Sequence, residues 1–163
     1  MRITFLVALI TFVADQILKW VVVVGLNLRE ILMIEVWPPY FTLSMAWNQG
    51  VNFGLFADES PLLRWVLILL PVVVTIWVWR WVRREGGRPL MQASAGLLIG
   101  GALGNAIDRL VWGAVADFLN VSCCGFTNPW AFNIADIAIF VGAFGLILTA
   151  GGKTPRDDRA SMG

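Results

Sequence analysis

The chain has 163 residues, 58% of them hydrophobic and only 14% charged, with a net charge of +1 and no histidine. A soluble domain carries nearer a quarter charged residues, whereas apolar runs of about 20 residues, enough to cross a bilayer, recur at residues 3–26, 62–82, 90–113 and 131–151. Composition therefore excludes a soluble enzyme, and no basic patch suits nucleic acid; without histidine, Ser–His and Cys–His nucleophile pairs and an H-E-x-x-H zinc site are also excluded.

The expected architecture is an all-α membrane protein over residues 1–163, with four transmembrane helices and a small extracytoplasmic β-sheet in the first outer loop. The first run is too long for a signal-peptide core and contains Asp15, Gln16 and Lys19, so it reads as a retained helix. Asp15 and Lys19 are four apart, acid first, the favourable order for an ion pair. A structural or orienting role is expected for this pair near mid-membrane.

The connection 27–61 has one basic residue, Arg29, against Glu30, Glu35, Asp58 and Glu59. Residues 31–36 and 40–46 read as short strands around Pro38-Pro39. They predict a small sheet on the outer membrane surface, touching lipid, a lipid-bearing ligand or only its own helices. In Asn48-Gln49-Gly50-Val51-Asn52-Phe53-Gly54, amides alternate with glycines. Such a segment is either a turn or a backbone-and-amide surface for an extended peptide.

After the second run come Arg83, Arg84 and Arg88, with Arg80 just before them, and the tail 152–163 holds Lys153, Arg156 and Arg159; the connection 112–130 has no Lys or Arg. By the positive-inside rule, both termini and the central connection are cytoplasmic and the other two connections face outward. Trp65, Trp112 and Trp130 then fall near outer ends, and Trp77, Trp79 and Trp81 near an inner end, as interfacial belts do.

On the third helix Gly96, Gly100 and Gly104 recur every four residues and line one face. Small residues at this spacing let membrane helices approach closely. Asp108 continues the stripe, while Asn105 and Arg109 lie on a neighbouring face. Asp117 follows in Val115-Ala116-Asp117-Phe118, a short apolar stretch able to fold back. Cys123 and Cys124 are adjacent and cannot staple distant parts of the fold; they are expected as small apolar fillers, with a redox role as the alternative. On the fourth helix Asn133 and Asp136 are three apart and face the same way.

Ionisable groups at membrane depth mark candidate functional sites. Asp136 lies about six residues inside its helix end, roughly 9 Å at 1.5 Å per residue, and Asp108 lies at a similar depth. Depth alone thus pairs Asp108 with Asp136. A Ser–Lys pair would need Lys19 or Lys153, and the nearest candidate, Ser44, has no supporting motif. Paired carboxylates remain: two aspartates sharing a proton can activate water for attack on a carbonyl. A proton-coupled transporter is the alternative, but its site belongs near the midplane, and this cluster joins an outer loop. A purely structural protein leaves several buried charges without purpose.

The chain resembles the lipoprotein signal peptidase (signal peptidase II) family. The resemblance rests on Asp15-x-x-x-Lys19, Asn48-x-Gly50-x-x-Phe53-Gly54, Gly100-Gly101-Ala102-Leu103-Gly104-Asn105-x-x-Asp108-Arg109, Val115-x-Asp117-Phe118 and Phe132-Asn133-x-Ala135-Asp136, in that order. It implies an aspartyl endopeptidase of the bacterial inner membrane that removes the signal peptide of prolipoproteins just before a diacylglyceryl-modified cysteine. No metal or cofactor is implied; membrane lipids are expected around the enzyme and inhibition by globomycin is expected too. The resemblance assigns the catalytic dyad to Asp117 and Asp136. It gives supporting or substrate-binding roles to Asp15, Lys19, Asn48, Gly50, Asn105, Asp108, Arg109, Asn133 and Ala135. Here it departs from the depth argument, and the assignment to Asp117 is adopted, with Arg109 expected to keep Asp108 ionised. Asn52 stands where the family has Ala or Ser.

Overall fold

The computed structural model describes residues 1–50, 61–86 and 88–150. Asn52, Phe53, Gly54, Asp58, Glu59 and the tail with Lys153, Arg156 and Arg159 lie outside the described residues. In chain order the elements are α1 (Arg2–Lys19), continued by a π-helical segment (Trp20–Gly25), the short α2 (Leu28–Ile31), β1 (Met33–Trp37), β2 (Phe41–Asn48), α3 (Pro61–Arg84), α4 (Pro89–Val111), β3 (Val115–Val121) and α5 (Ile134–Ala150). Among the described residues, three helical segments are long and apolar enough to cross a membrane: Arg2–Gly25, Arg64–Arg84 and Pro89–Val111. The fourth apolar helix, α5, has 17 described residues.

The helical exteriors are apolar. Phe5, Ile10 and Ile17 on α1, Leu69, Val73 and Ile76 on α3, and Phe140, Ile147 and Leu148 on α5 are all exposed. Water would penalise such surfaces, and they fit a lipid solvent. The polar residues go inward instead, with Asp15, Lys19, Asn105, Asp108, Asp117 and Asn133 all buried.

Helix α4 is the hub, packing on α1, α3 and α5. Its glycine stripe explains the first of these contacts. A Cβ on Gly100 would come 2.5 Å from the Ala8 carbonyl oxygen, one on Gly96 2.8 Å from that of Thr4, and one on Gly104 2.7 Å from an Asp15 carboxylate oxygen. Only glycine permits this approach, as the four-residue spacing predicts. On the adjacent face a Cβ on Gly101 would come 2.5 Å from the Ala135 carbonyl oxygen, so α5 closes down just as tightly.

Apolar packing lies on either side of the polar residues. At one end Ala8, Val78, Val82, Met91, Ala95, Ile99 and Leu146 form a cluster. At the other, Val22, Val23, Leu28, Leu43, Ala116 and Phe118 pack beneath the sheet. Along both α1 and α4 the buried charges fall between these clusters in sequence.

The sheet differs from expectation. Its order is β1-β2-β3, all antiparallel, so the third strand comes from the connection after α4 rather than from the first loop. Val115-Ala116-Asp117-Phe118 folds back as an edge for β2, with Ala46 opposite Asp117 and Asn48 opposite Val115. A register irregularity between Leu43 and Ala46 bends β2 just before the site. The fourth helix starts at Ile134, not 131, because Phe132 is still bonded to Leu119 of β3. Trp112 ends α4 and touches the rings of Trp20 and Trp47 at 6.2 and 5.9 Å, while Trp77 and Trp81 stack at 5.7 Å.

Cys123 and Cys124 are not apolar fillers. They are exposed and joined by a disulfide at the tip of a tight turn, where Phe126 N–H donates to the Cys123 carbonyl at 2.9 Å. The left-handed Cys124 (φ 58°) and Gly125 (φ 81°) close the turn and direct both side chains outward. As the spacing required, the bond staples nothing distant.

Candidate active site

Lys19 is the centre of a charged node. Its side chain is 0% exposed, and its ammonium lies 2.8 Å from Asp15 and 2.6 Å from Asp108, while donating to Asn105 Oδ1 at 3.1 Å. The second oxygen of Asp15 accepts the N–H of Ala135 at 3.0 Å, so α1 holds the first turn of α5. Asp108 also accepts from Gln16 Nε2 at 2.9 Å and from the N–H of Ala116 at 3.3 Å. One lysine thus ties α1, α4, the start of α5 and the root of β3 together. Buried charges persist when paired and hydrogen-bonded in this way.

Asn133 organises the second layer. It precedes α5 and forms a reciprocal cap: its Oδ1 accepts the N–H of Asp136 at 2.9 Å, and Asp136 Oδ2 accepts the N–H of Asn133 at 3.2 Å. This is a capping box with aspartate at the third helical position. The same side chain donates through Nδ2 to Asp117 Oδ1 at 2.6 Å. Asn105 donates to the other oxygen of Asp136 at 2.8 Å. Asn48, at the end of β2, donates to Asp117 Oδ2 at 3.1 Å, and its own Oδ1 accepts the N–H of Gly50 at 2.9 Å. Gly50 has φ +108°, and a Cβ there would strike the Leu67 side chain, so the turn after Asn48 requires glycine.

Asp117 and Asp136 therefore share Asn133 as a common hinge, one on a strand and the other on a helix N-terminus. Asp117 is 3% exposed. Burial, reinforced by the negative charge of Asp136, pushes its carboxyl up to about 6 against the opposing hydrogen bonds of Asn48 and Asn133. A cavity of 370 Å³ opens over Asp117, with Ala46, Trp47 and Asn48 on one side and Pro129, Trp130 and Ala131 on the other. A carboxyl that retains a proton above the usual range, beside a second carboxylate and an open groove, is an arrangement suited to acid–base work.

The sequence matches the family described as Signal peptidase (SPase) II over residues 7–151. The chain belongs to the signal peptidase II family. It is 39% identical to the lipoprotein signal peptidase of Methylobacterium radiotolerans, with 98% of this chain and 92% of that protein covered. It is 40% identical to the one from Methylorubrum extorquens, over 93% of this chain and 87% of that protein. A solved structure described as a bacterial membrane enzyme, determined by the in meso method at 1.9 Å resolution, has the same fold. Its TM-score is 0.76 at 24% identity, covering 93% of this chain and 94% of its own.

Within this signal peptidase II fold, described residues from all five sequence motifs converge on one region. The structure joins Asp15, Lys19, Asn105, Asp108, Ala135, Asn133, Asp136, Asp117, Asn48 and Gly50 through one continuous set of hydrogen bonds and ion pairs. One expectation changes. Asp108 does not pair with Asp136 but with Lys19, because the glycine stripe that carries it faces α1. Arg109 forms no direct ion pair with Asp108 among the described residues, because neighbours in a helix point apart; its Nη1 donates to the Asn105 carbonyl at 3.2 Å, while the charge of Asp108 still acts on the guanidinium. Lys19, in turn, is committed to carboxylates and an amide, which removes the Ser44–Lys19 idea. Sequence reasoning gave no role to Gln16, whose amide bridges Asp15 and Asp108 at 3.2 and 2.9 Å. A glutamine beside Asp15 within an apolar span was the signal. Arg64 was also passed over; its guanidinium covers the last carbonyls of α4, 3.0 Å from that of Arg109.

Proposed function

We propose that this protein is an aspartyl endopeptidase that removes signal peptides from diacylglyceryl-modified prolipoproteins, cleaving just before the lipidated cysteine, with Asp117 and Asp136 as the dyad. The observation that carries the reading is the Asn133 hinge: one buried residue bonded to both carboxylates, to Asp117 through its side-chain amide and to Asp136 through its backbone N–H, with Asp117 raised to about 6. In this reading the scissile carbonyl enters between strand β3 and the start of α5. One carboxylate takes a proton from the attacking water while the other, protonated, supports the developing oxyanion and then protonates the leaving amine. Asn105 and Asn48 each hold the outer oxygen of one aspartate and fix its orientation. Because a helix hides its carbonyls in hydrogen bonds, the substrate unwinds at the cleavage point to present its peptide bond.

The same reading sets the protein in the bacterial inner membrane with four spans, α5 as the fourth, both termini cytoplasmic and the dyad near the outer face. The diacylglyceryl group stays in lipid beside the sheet, and globomycin competes for the site. A pH–rate profile tests the dyad. Activity falls as pH rises through about 6, where Asp117 loses the shared proton, and falls again at low pH when both acids are protonated. A flat profile on both sides would remove the shared-proton mechanism.

A further inference from the structure

The limb that returns from β3 to α5 is fixed by a polar clasp outside the reacting groups. The Asn120 amide donates to the carbonyl of Asn128 at 2.8 Å and to that of Trp130 at 3.0 Å. The Ser122 hydroxyl donates to Asn120 Oδ1 at 3.2 Å and accepts the N–H of Asn128 at 3.1 Å. Asn128 Oδ1 in turn accepts the N–H of Trp130 at 3.0 Å. Both backbone polar groups of Trp130 are therefore held, yet its indole is 59% exposed.

Ordering a backbone costs conformational entropy, and here it fixes a large apolar side chain at the surface instead of burying it. Trp130 lines the groove over Asp117, with Ala46, Trp47 and Asn48 on the other wall. Ala46 is opposite Asp117 in the sheet register and adds almost no bulk. The Trp47 ring packs against that of Trp112 at 5.9 Å, so the exposed indole of Trp130 is the large side chain free to narrow the groove from the opposite wall.

A substrate segment arriving from the membrane, among the helices, leaves the dyad on the side of this groove once its carbonyl lies between Asp117 and Asp136. We propose that Trp130, positioned by Asn120, determines specificity for the residue that follows the modified cysteine, admitting small side chains and rejecting bulky ones. The inference rests on the function and orientation proposed above.

Two diacylglyceryl-modified prolipoprotein peptides, identical except for Gly or Trp after the cysteine, test it with the full-length enzyme in detergent micelles. Wild type should prefer the Gly peptide in kcat/KM by at least about tenfold, the scale on which a pocket wall discriminates side-chain size. Trp130→Ala should remove most of that preference, through a lower KM for the Trp peptide. Trp130→Phe should fall between, and Asn120→Ala should shift the preference in the direction of Trp130→Ala. Because the indole is exposed, truncating it leaves the core intact. An unchanged preference in both Trp130 variants, or none in wild type, overturns the proposal. A lower unfolding temperature in Asn120→Ala with an unchanged preference removes Asn120 from it. Failure of wild type to cleave even the Gly peptide strikes the proposed function itself.

Discussion

Replacing Lys19 by Met tests whether the charged node holds the bundle together. The ammonium sits 2.8 Å from Asp15 and 2.6 Å from Asp108, with all three side chains at most 1% exposed. At an effective dielectric constant of about 20, each such contact is worth roughly 6 kcal/mol of Coulomb attraction, most of it offset by desolvation. Removing the lysine retains the desolvation cost of two carboxylates and discards the compensation. Breaking a buried pair in this way costs about 3–5 kcal/mol. For a chain of this size that corresponds to a fall of roughly 6–20 °C in unfolding temperature. The assay is thermal unfolding in detergent followed by tryptophan fluorescence, for Lys19→Met, Asp108→Asn and the double variant. Asp108→Asn in the Lys19→Met background removes one stranded carboxylate, so the double variant should be more stable than the sum of the single losses by more than about 1 kcal/mol. Additive losses, or a Lys19→Met protein as stable as wild type, would refute the node as a structural clamp.

Other expectations follow from neighbouring contacts. Asn133→Ala loses the side-chain cap on the Asp136 N–H and the bond to the Asp117 carboxylate; stability should fall by about 1–3 kcal/mol, and kcat should fall at least about a hundredfold. Gly100→Leu drives a side chain into the Ala8 carbonyl, and separation of α1 from α4 should cost at least about 1–3 kcal/mol in unfolding experiments. Asp117 has a folded-state value raised from 3.8 to about 6, so its contribution to stability is fully present below 3.8 and is lost as pH rises through about 6. Asp117→Asn removes that loss. Relative to wild type, the variant should gain up to about 3 kcal/mol between pH 4 and pH 8, read from paired unfolding curves. A stability difference independent of pH would contradict the raised value.

What the sequence disclosed depended on how local the information was. The Gly96, Gly100, Gly104 stripe announced a close helix contact because a four-residue period places residues on one face whatever the partner is. The Asp15–Lys19 pair was legible for the same reason. Its third member was not, since Asp108 is 89 residues from Lys19 and their meeting depends on which face of α4 meets α1. That face could have been deduced: Asp108 continues the glycine stripe, so it points where the glycines point. Counting depth from the helix ends gave a height but no direction around the axis, and it paired Asp108 with Asp136, whereas the structure sets Asp108 against Lys19. Residue-level reasoning placed Asp117 in a short apolar stretch able to fold back, as it does, but not in a strand, because periodicity alone does not separate Val115–Val121 from a fraying helix end. Its pairing with β2 spans about seventy residues and supplies the register that aims the carboxylate. The choice of Asp117 over Asp108 as the partner of Asp136 came from the family resemblance.

The most direct test of the dyad is cleavage of a diacylglyceryl-modified prolipoprotein by purified wild type, Asp117→Asn, Asp136→Asn and Asp108→Asn, each checked for folding. Turnover should vanish in the Asp117 and Asp136 variants and persist in part in Asp108→Asn, whose carboxylate is paired with Lys19. Full activity in folded Asp117→Asn would contradict the account and return the second catalytic carboxylate to Asp108.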